Sequence, residues 1–192
     1  DRAGCVGADG PTHNGVYDLT FMRCLPNIVL MTPSDENECR QMLYTGFQLN
    51  QPAAVRYPRG TGPGVKVLNE MTQLPIGKGE VRHKGKNIAI LAFGTMVESC
   101  ERIGKELNTT VVNMRFVKPI DESLILNICE EHHLIITVEE NVVQGGAGSA
   151  VNEVLAAYGI SQRIVNHGLP DRLIQHGTRD DMLRDAGLDC EG

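Results

Sequence analysis

Four side chains near the start of the sequence have the types to act on a small anionic substrate. Asp9 and His13 stand four residues apart in "GADGPTHNG" (7–15). An imidazole near a carboxylate can shuttle a proton near neutral pH, or donate a hydrogen bond to substrate. Gly10 and Pro11 argue against a helix carrying the two on one face, so loop geometry must hold them. Arg2, just upstream, and Arg59, in "RYPRG" (56–60), offer guanidinium forks suited to phosphate or carboxylate. Each has a plainer alternative: an Asx-type turn at Asp9 beside a solvated histidine, and a surface ion pair at Arg59.

Two further motifs carry the same ambiguity. "GGAGS" (145–149) could cradle a phosphate on a helix N-terminus. It lacks the lysine of a P-loop and the spacing of a dinucleotide fingerprint, and otherwise reads as a tight turn with Ser149 as helix cap. "VEEN" (138–141) ends a strand, where open α/β sheets bind ligands; Glu139 and Glu140 otherwise read as solvated or interface carboxylates. His132 and His133 are adjacent and point about 100° apart on a helix, so they do not share a metal easily. His83, His167 and His176 have no ligand-type neighbour at metal spacing, and all five read as structural or exposed. The six cysteines are scattered singly, with no CxxC pair. That pattern argues against zinc and for reduced thiols in a cytosol-like compartment.

These candidates need elements to position them. "NIVLMTPS" (27–34) reads as a buried strand, followed by a helix from Asp35 with Glu38 in a capping-box arrangement. Cys39, Met42, Leu43 and Phe47 form its apolar stripe. "PAAVRYPRG" (52–60) is the next strand, with Pro58 holding Tyr57 extended. Arg56 and Tyr57 then face opposite ways. "GTGPGV" (60–65) is a linker signal, and a domain boundary falls near 65–77. Strands then alternate with helices: strands at 86–94, 110–114, 134–140 and 163–168, and helices capped by Thr95 (with Glu98), by Asp121, and by Thr178. The helix from Thr95 turns Val97, Cys100, Ile103 and Leu107 inward. The one after Asp121 bears Leu124, Ile125, Ile128 and Cys129, and the helix opened by "GGAGS" turns Val151, Val154, Leu155 and Tyr158 inward. Residues 78–87 form an extra edge strand and a turn. The alternation predicts an α/β fold with a mostly parallel sheet and right-handed crossovers.

Bulk properties set the outer limits. The chain has 192 residues, 41% hydrophobic and 22% charged, with no Trp. It suits a globular protein whose core is mainly aliphatic. Net charge is −6, all of it beyond residue 66; the first 66 residues balance six basic against six acidic side chains, and five of those six basic residues are Arg. No basic face suggests nucleic acid or an anionic membrane, and no apolar run reaches the roughly 20 residues of a membrane span.

"DRAGCVGADGPTHNG", "RCLPNIVLMTPSDENECRQML", "AVRYPRG", "MRFVKPID", "VEEN" and "GGAGSAVNEVL" together resemble the 1-deoxy-D-xylulose 5-phosphate synthase family, end to end and in order. That family lies within the thiamine-diphosphate-dependent, transketolase-like enzymes. The resemblance implies that residues 1–66 are the C-terminal half of a pyrimidine-binding domain, 67–77 a linker, and 78–192 a Rossmann-like transketolase C-terminal domain. It implies condensation of pyruvate with D-glyceraldehyde 3-phosphate and release of CO2, feeding isoprenoid, thiamine and pyridoxal biosynthesis. Arg2 and Arg59 match the arginines that hold the aldehyde's phosphate. Asp9 and His13 match the groups facing the substrates, His13 for proton transfer at the reacting oxygen and Asp9 for orienting His13 or a substrate hydroxyl. The glutamate and the aromatic that serve the aminopyrimidine, and the domain that binds Mg2+ and the diphosphate, are expected upstream of Asp1. The tail "GLDCEG" also stops where that family continues into a last helix. A fragment of this kind is expected to be inactive alone and to work with its missing N-terminal part, in a cytoplasmic homodimer of bacterial cytosol or plastid stroma. Another transketolase-like enzyme, an E1 β-type subunit, or a non-catalytic binding module of the same fold are the alternatives.

Overall fold

The computed structural model describes residues 1–191; Gly192, the last residue of the tail, lies outside them. The chain opens as a loop that doubles back, Gly4 and Gly15 exchanging backbone N–H···O bonds of 2.8 and 3.0 Å. A short 3-10 turn, Gly7–Thr12, sits inside that loop. Then come α1 (Asp18–Met22), β1 (Val29–Met31), α2 (Glu36–Gln48) and β2 (Ala53–Val55). No helix or strand forms between β2 and β3 (Glu80–His83). The rest alternates: β4 (Ile88–Ala92), α3 (Met96–Leu107), β5 (Thr110–Asn113), β6 (Phe116–Lys118), α4 (Glu122–Glu131), β7 (Leu134–Val142), α5 (Ala147–Ala157), β8 (Ile164–Leu169) and α6 (Arg179–Asp185).

Two sheets result. The larger runs β3-β5-β4-β7-β8, with every pair parallel except the antiparallel edge strand β3. Its central strands are buried on both faces, as a sheet covered by helices requires. The smaller runs β2-β1-β6, with β1 parallel to β2 and antiparallel to β6. Thus β6 is added to strands that lie before residue 60, although it comes from the later part of the chain. One core runs through both parts: Leu19 and Leu30 pack with Leu91, Phe93, Met114, Ile125 and Ala147.

Local signals account for most elements. Asp35 accepts from Glu38 N at 2.8 Å, Asp121 from Leu124 N at 3.2 Å, and Thr178 from Asp181 N at 3.1 Å, each cap taking one free N–H of a first turn. Other expectations are corrected. The capping box of α2 does not close on Asp35: Glu38 accepts from Ser34 N, because Asn113 and Arg115 also engage its carboxylate. Thr95 makes no side-chain cap on α3; its hydroxyl donates to Glu140 instead. Only part of the apolar stripe of α2 is buried: Met42 is 0% exposed, but Phe47 is 86% exposed and Leu43 is also exposed. The helix buries Glu38, Gln41, Met42 and Thr45. Gln41 and Thr45 accept from the backbone N–H groups of Thr72 and Leu74 at 2.6 and 2.9 Å. Glu36 and Asn37 do the same for Gly64 and Leu68. Polar side chains along α2 therefore satisfy the irregular segment that follows β2, and that demand rotates the helix. Leu107 and Tyr158 are likewise exposed rather than inward, the Tyr158 hydroxyl reaching Glu122 at 2.8 Å.

Candidate active-site wall

The loop "GADGPTHNG" is a shaped surface, not a helix face. Gly10 interrupts the 3-10 turn at φ +64°, and a Cβ there would lie 2.8 Å from the His176 Cβ. Only glycine meets both the backbone and the space. Asp9 is delivered by the first half of the turn, and its carboxylate pairs with the Arg59 guanidinium, fifty residues away. His13 ends the turn, its N–H donating to Gly10 O at 3.0 Å. Its ring is exposed, and Nδ1 meets the Thr12 hydroxyl at 2.9 Å. Among the described residues no hydrogen bond joins Asp9 to His13; Asp9 serves Arg59 instead.

Arg2 stands on the same edge as Arg59. Ala3 N donates to Tyr57 O at 3.0 Å, which fastens residues 2–3 beside the strand end that leads to Arg59. Arg2 is exposed and adopts φ +67°, a left-handed backbone uncommon for a residue with a side chain. Arg59 is 57% exposed in its side chain, so its pair with Asp9 contributes little to stability. The guanidinium lines a cleft of about 960 Å³ that also reaches Tyr44, Tyr57, Thr95 and Arg179. Arg56 has the opposite fate. Its side chain is buried, donating to Asp18 at 2.7 Å, to Gly15 O at 2.6 Å and to Glu140 O at 2.9 Å. The two arginines of "RYPRG" thus divide into one that holds the loop and one that faces solvent.

Beneath the loop lies the segment before α6. Gly7 O accepts from Gly177 N, and the Asn14 amide donates to Ile174 O at 3.3 Å. Glu140, at the end of β7, is 2% exposed and collects three donors: Cys5 N at 2.8 Å, Thr95 Oγ1 at 2.8 Å and Arg179 Nη2 at 2.5 Å. Sequence reasoning placed Glu140 at a strand end but not this role, and nothing in the sequence marked Arg179. Burial pushes the neighbouring Cys5 thiol up to about 12, with Glu140 adding to the effect, so Cys5 is inert packing.

Glu139 and Glu140 are buried, not solvated. Glu139 accepts from Ala147 N at 2.7 Å and Gly148 N at 2.8 Å. It thereby fills the start of α5, the place where a phosphate would sit. The turn is capped by Glu139 rather than by Ser149, whose hydroxyl goes to Val143 O. Burial pushes the Glu139 carboxyl up to about 7, against the pull of the two N–H donors. His132 is buried between Ile128 O and the Thr110 hydroxyl, a structural role. All six cysteines are free. Among the described residues no three His, Cys, Asp or Glu side chains gather to hold a metal, and no helix is long and apolar enough to cross a membrane.

The fold and this wall define a transketolase-type protein, and the chain belongs to that family: residues 77–192 match the transketolase C-terminal domain and residues 1–64 the transketolase pyrimidine binding domain. Within it, the chain is 58% identical over all 192 residues to the 1-deoxy-D-xylulose-5-phosphate synthase of Nitrosomonas eutropha, and 64% identical over 161 residues, 84% of the chain, to that of Nitrosococcus oceani. It spans 31% and 25% of the lengths of these two relatives. Among solved structures it is similar to a split gene transketolase, an inactive beta4 tetramer, at a TM-score of 0.82 and 29% identity, over 96% of this chain and 61% of that one. Transketolase from Campylobacter jejuni shares the fold at a TM-score of 0.67 and 21% identity, over 96% of this chain and 28% of that one.

Proposed function

We propose that this chain forms the acceptor-substrate wall of a 1-deoxy-D-xylulose-5-phosphate synthase, which joins a two-carbon unit from pyruvate to D-glyceraldehyde 3-phosphate with loss of CO2. The pairing of Arg59 with Asp9 on an exposed edge beside His13 carries this reading, and the high identity to synthases over the whole chain supports it. Residues 1–66 would be the second half of the pyrimidine-binding domain, 67–77 the linker, and 78–192 the C-terminal domain. The working enzyme would be a cytoplasmic homodimer.

Arg2 and Arg59 bind the aldehyde's phosphate through charge-assisted hydrogen bonds, worth roughly 1.5–3 kcal/mol each. An arriving phosphate competes with Asp9 for the Arg59 fork. Binding therefore frees the Asp9 carboxylate to accept from a substrate hydroxyl. His13 holds a proton at the aldehyde oxygen as that oxygen becomes a hydroxyl. Thiamine diphosphate with Mg2+ would supply the carbanion chemistry of the pyruvate half. Within this chain the Gly-rich helix start is not free to take its diphosphate, because the Glu139 carboxylate occupies the Ala147 and Gly148 N–H groups.

Steady-state kinetics of the full-length enzyme, with each substrate varied, test this. Arg59→Ala should raise KM for glyceraldehyde 3-phosphate about tenfold or more and leave KM for pyruvate unchanged. Equal shifts in both would sink the phosphate clamp. Asp9→Asn should lower kcat without raising the aldehyde KM, and His13→Ala should lower kcat about 100-fold. An unchanged kcat for either removes that residue from the chemistry.

A further inference from the structure

We propose that Glu140 is a positioning residue that sets the substrate loop against Arg59, its carboxylate acting from the C-terminal sheet on the start of the loop and on the arginine beneath it. The proposal rests on the reading of Asp9, His13 and Arg59 given above.

Two observations converge on this side chain, and a third on its backbone carbonyl. At the start of the loop, Cys5 N donates to Glu140 Oε1 at 2.8 Å. Gly4 permits that approach: its φ is +74°, and a Cβ there would lie 2.2 Å from the Glu140 carboxyl carbon. At the end of the loop, Arg56 bridges Gly15 O and Glu140 O. Under the loop, Arg179 Nη2 donates to Glu140 Oε2 at 2.5 Å and to Thr95 Oγ1 at 3.2 Å. Arg179 begins α6, directly after the residues on which Gly7 and Gly10 rest. Between these anchors lies the short 3-10 turn that presents Asp9 and His13. Loops carry side chains to a precision set by what holds them, and here three of the holds meet at Glu140.

The carboxylate is suited to this because it only accepts, and all its partners donate. Glu140→Gln keeps the size and one acceptor. It turns the second oxygen into an NH2 that faces the Arg179 donor.

The test uses the full-length enzyme. Backbone amide exchange over residues 5–15 should quicken at least about tenfold in Glu140→Gln, while β4, Ile88–Ala92, keeps its wild-type rate. KM for glyceraldehyde 3-phosphate should rise about tenfold, with KM for pyruvate held within about twofold. In an Arg59→Ala background Glu140→Gln should add little, because the loop has lost the partner it is positioned against. Arg179→Met, at a partly exposed position, should give a smaller change of the same kind and decides the matter should Glu140→Gln not fold. Unchanged loop exchange, or a fully additive effect with Arg59→Ala, would overturn the positioning role. A normal aldehyde KM in Arg59→Ala alone would instead sink the phosphate clamp, and loop exchange would still decide Glu140.

Discussion

Of the seams that join the residues before β3 to those after it, two are built on a buried glutamate with an arginine. In one, Glu38 accepts from Ser34 N, the Asn113 amide and Arg115 Nε, and Arg115 reaches on to Glu80 at 2.6 Å. In the other, Glu140 accepts from Cys5 N, Thr95 and Arg179. The chemistry is the same, but the partners differ in what anchors them. Glu38 ties α2 to the last residue of β5 and, through Arg115 in the two-residue bend before β6, to the edge strand, so its partners sit in or directly beside regular elements. Glu140 ties a sheet to the start of the loop of residues 4–15, which is closed by one pair of backbone bonds between Gly4 and Gly15, and to the first residue of the short helix α6 beneath it. A buried carboxylate between rigid elements adds stability. Between a rigid element and a loop it also decides where the loop's side chains stand.

The sharpest way to break that contrast is Glu38→Ala. It leaves the Asn113 amide and part of the Arg115 fork without an acceptor in a buried place, a loss of roughly 3 kcal/mol. The thermal midpoint of the full-length enzyme should fall, while KM for glyceraldehyde 3-phosphate in the folded fraction stays at its wild-type value. A KM rise like that expected for Glu140→Gln would erase the distinction between the seams.

Glu139 offers a control one residue from Glu140, turned the other way into its own domain. Burial raises its carboxyl from the usual 4.5 to about 7. A raised acid binds its proton more tightly in the native state, so its contribution is complete below pH 4.5 and is lost as pH rises through 7. The loss is roughly 3 kcal/mol. Thermal midpoints at matched salt should decline across that window, and Glu139→Gln should flatten the decline. A profile that is flat in wild type would mean the two N–H donors offset burial, and one that rises with pH that they outweigh it.

The smallest effect is expected at Gln41, which sews α2 to residues 70–72 through bonds of 3.1 and 2.6 Å. Gln41→Ala should cost about 1–2 kcal/mol, read as faster amide exchange at Thr72. Loop exchange at residues 5–15 should be untouched. Transmission to the loop would show that the segment after β2 belongs to the site seam.

Much of the architecture was legible because it depends on near neighbours. The alternation of apolar strands with capped helices was readable from residues within one or two turns of each other, as at Asp121 and Thr178. β6 was not, because three residues after the left-handed Arg115 carry too little pattern; the strand exists only because β1 offers an edge. The stripe of Leu43 and Phe47 misled for a related reason. Helical spacing shows that a face exists, not which face will be covered, and the backbone of residues 64–74 claimed the polar one.

The site divides in the same way. Arg2, Asp9, His13 and Arg59 could be picked out by type and motif, and Gly10 and Pro11 already argued against a helix carrying Asp9 and His13 on one face. That Asp9 pairs with Arg59 rather than His13, that Glu139 caps its own helix, and that Glu140 holds a loop 135 residues away were decided only in three dimensions. Local sequence determines backbone preference through sterics and short-range hydrogen bonds. It cannot assign partners to a buried carboxylate, because that choice falls to whichever donors the folded chain brings within about 3 Å, and here they come from opposite ends of the chain.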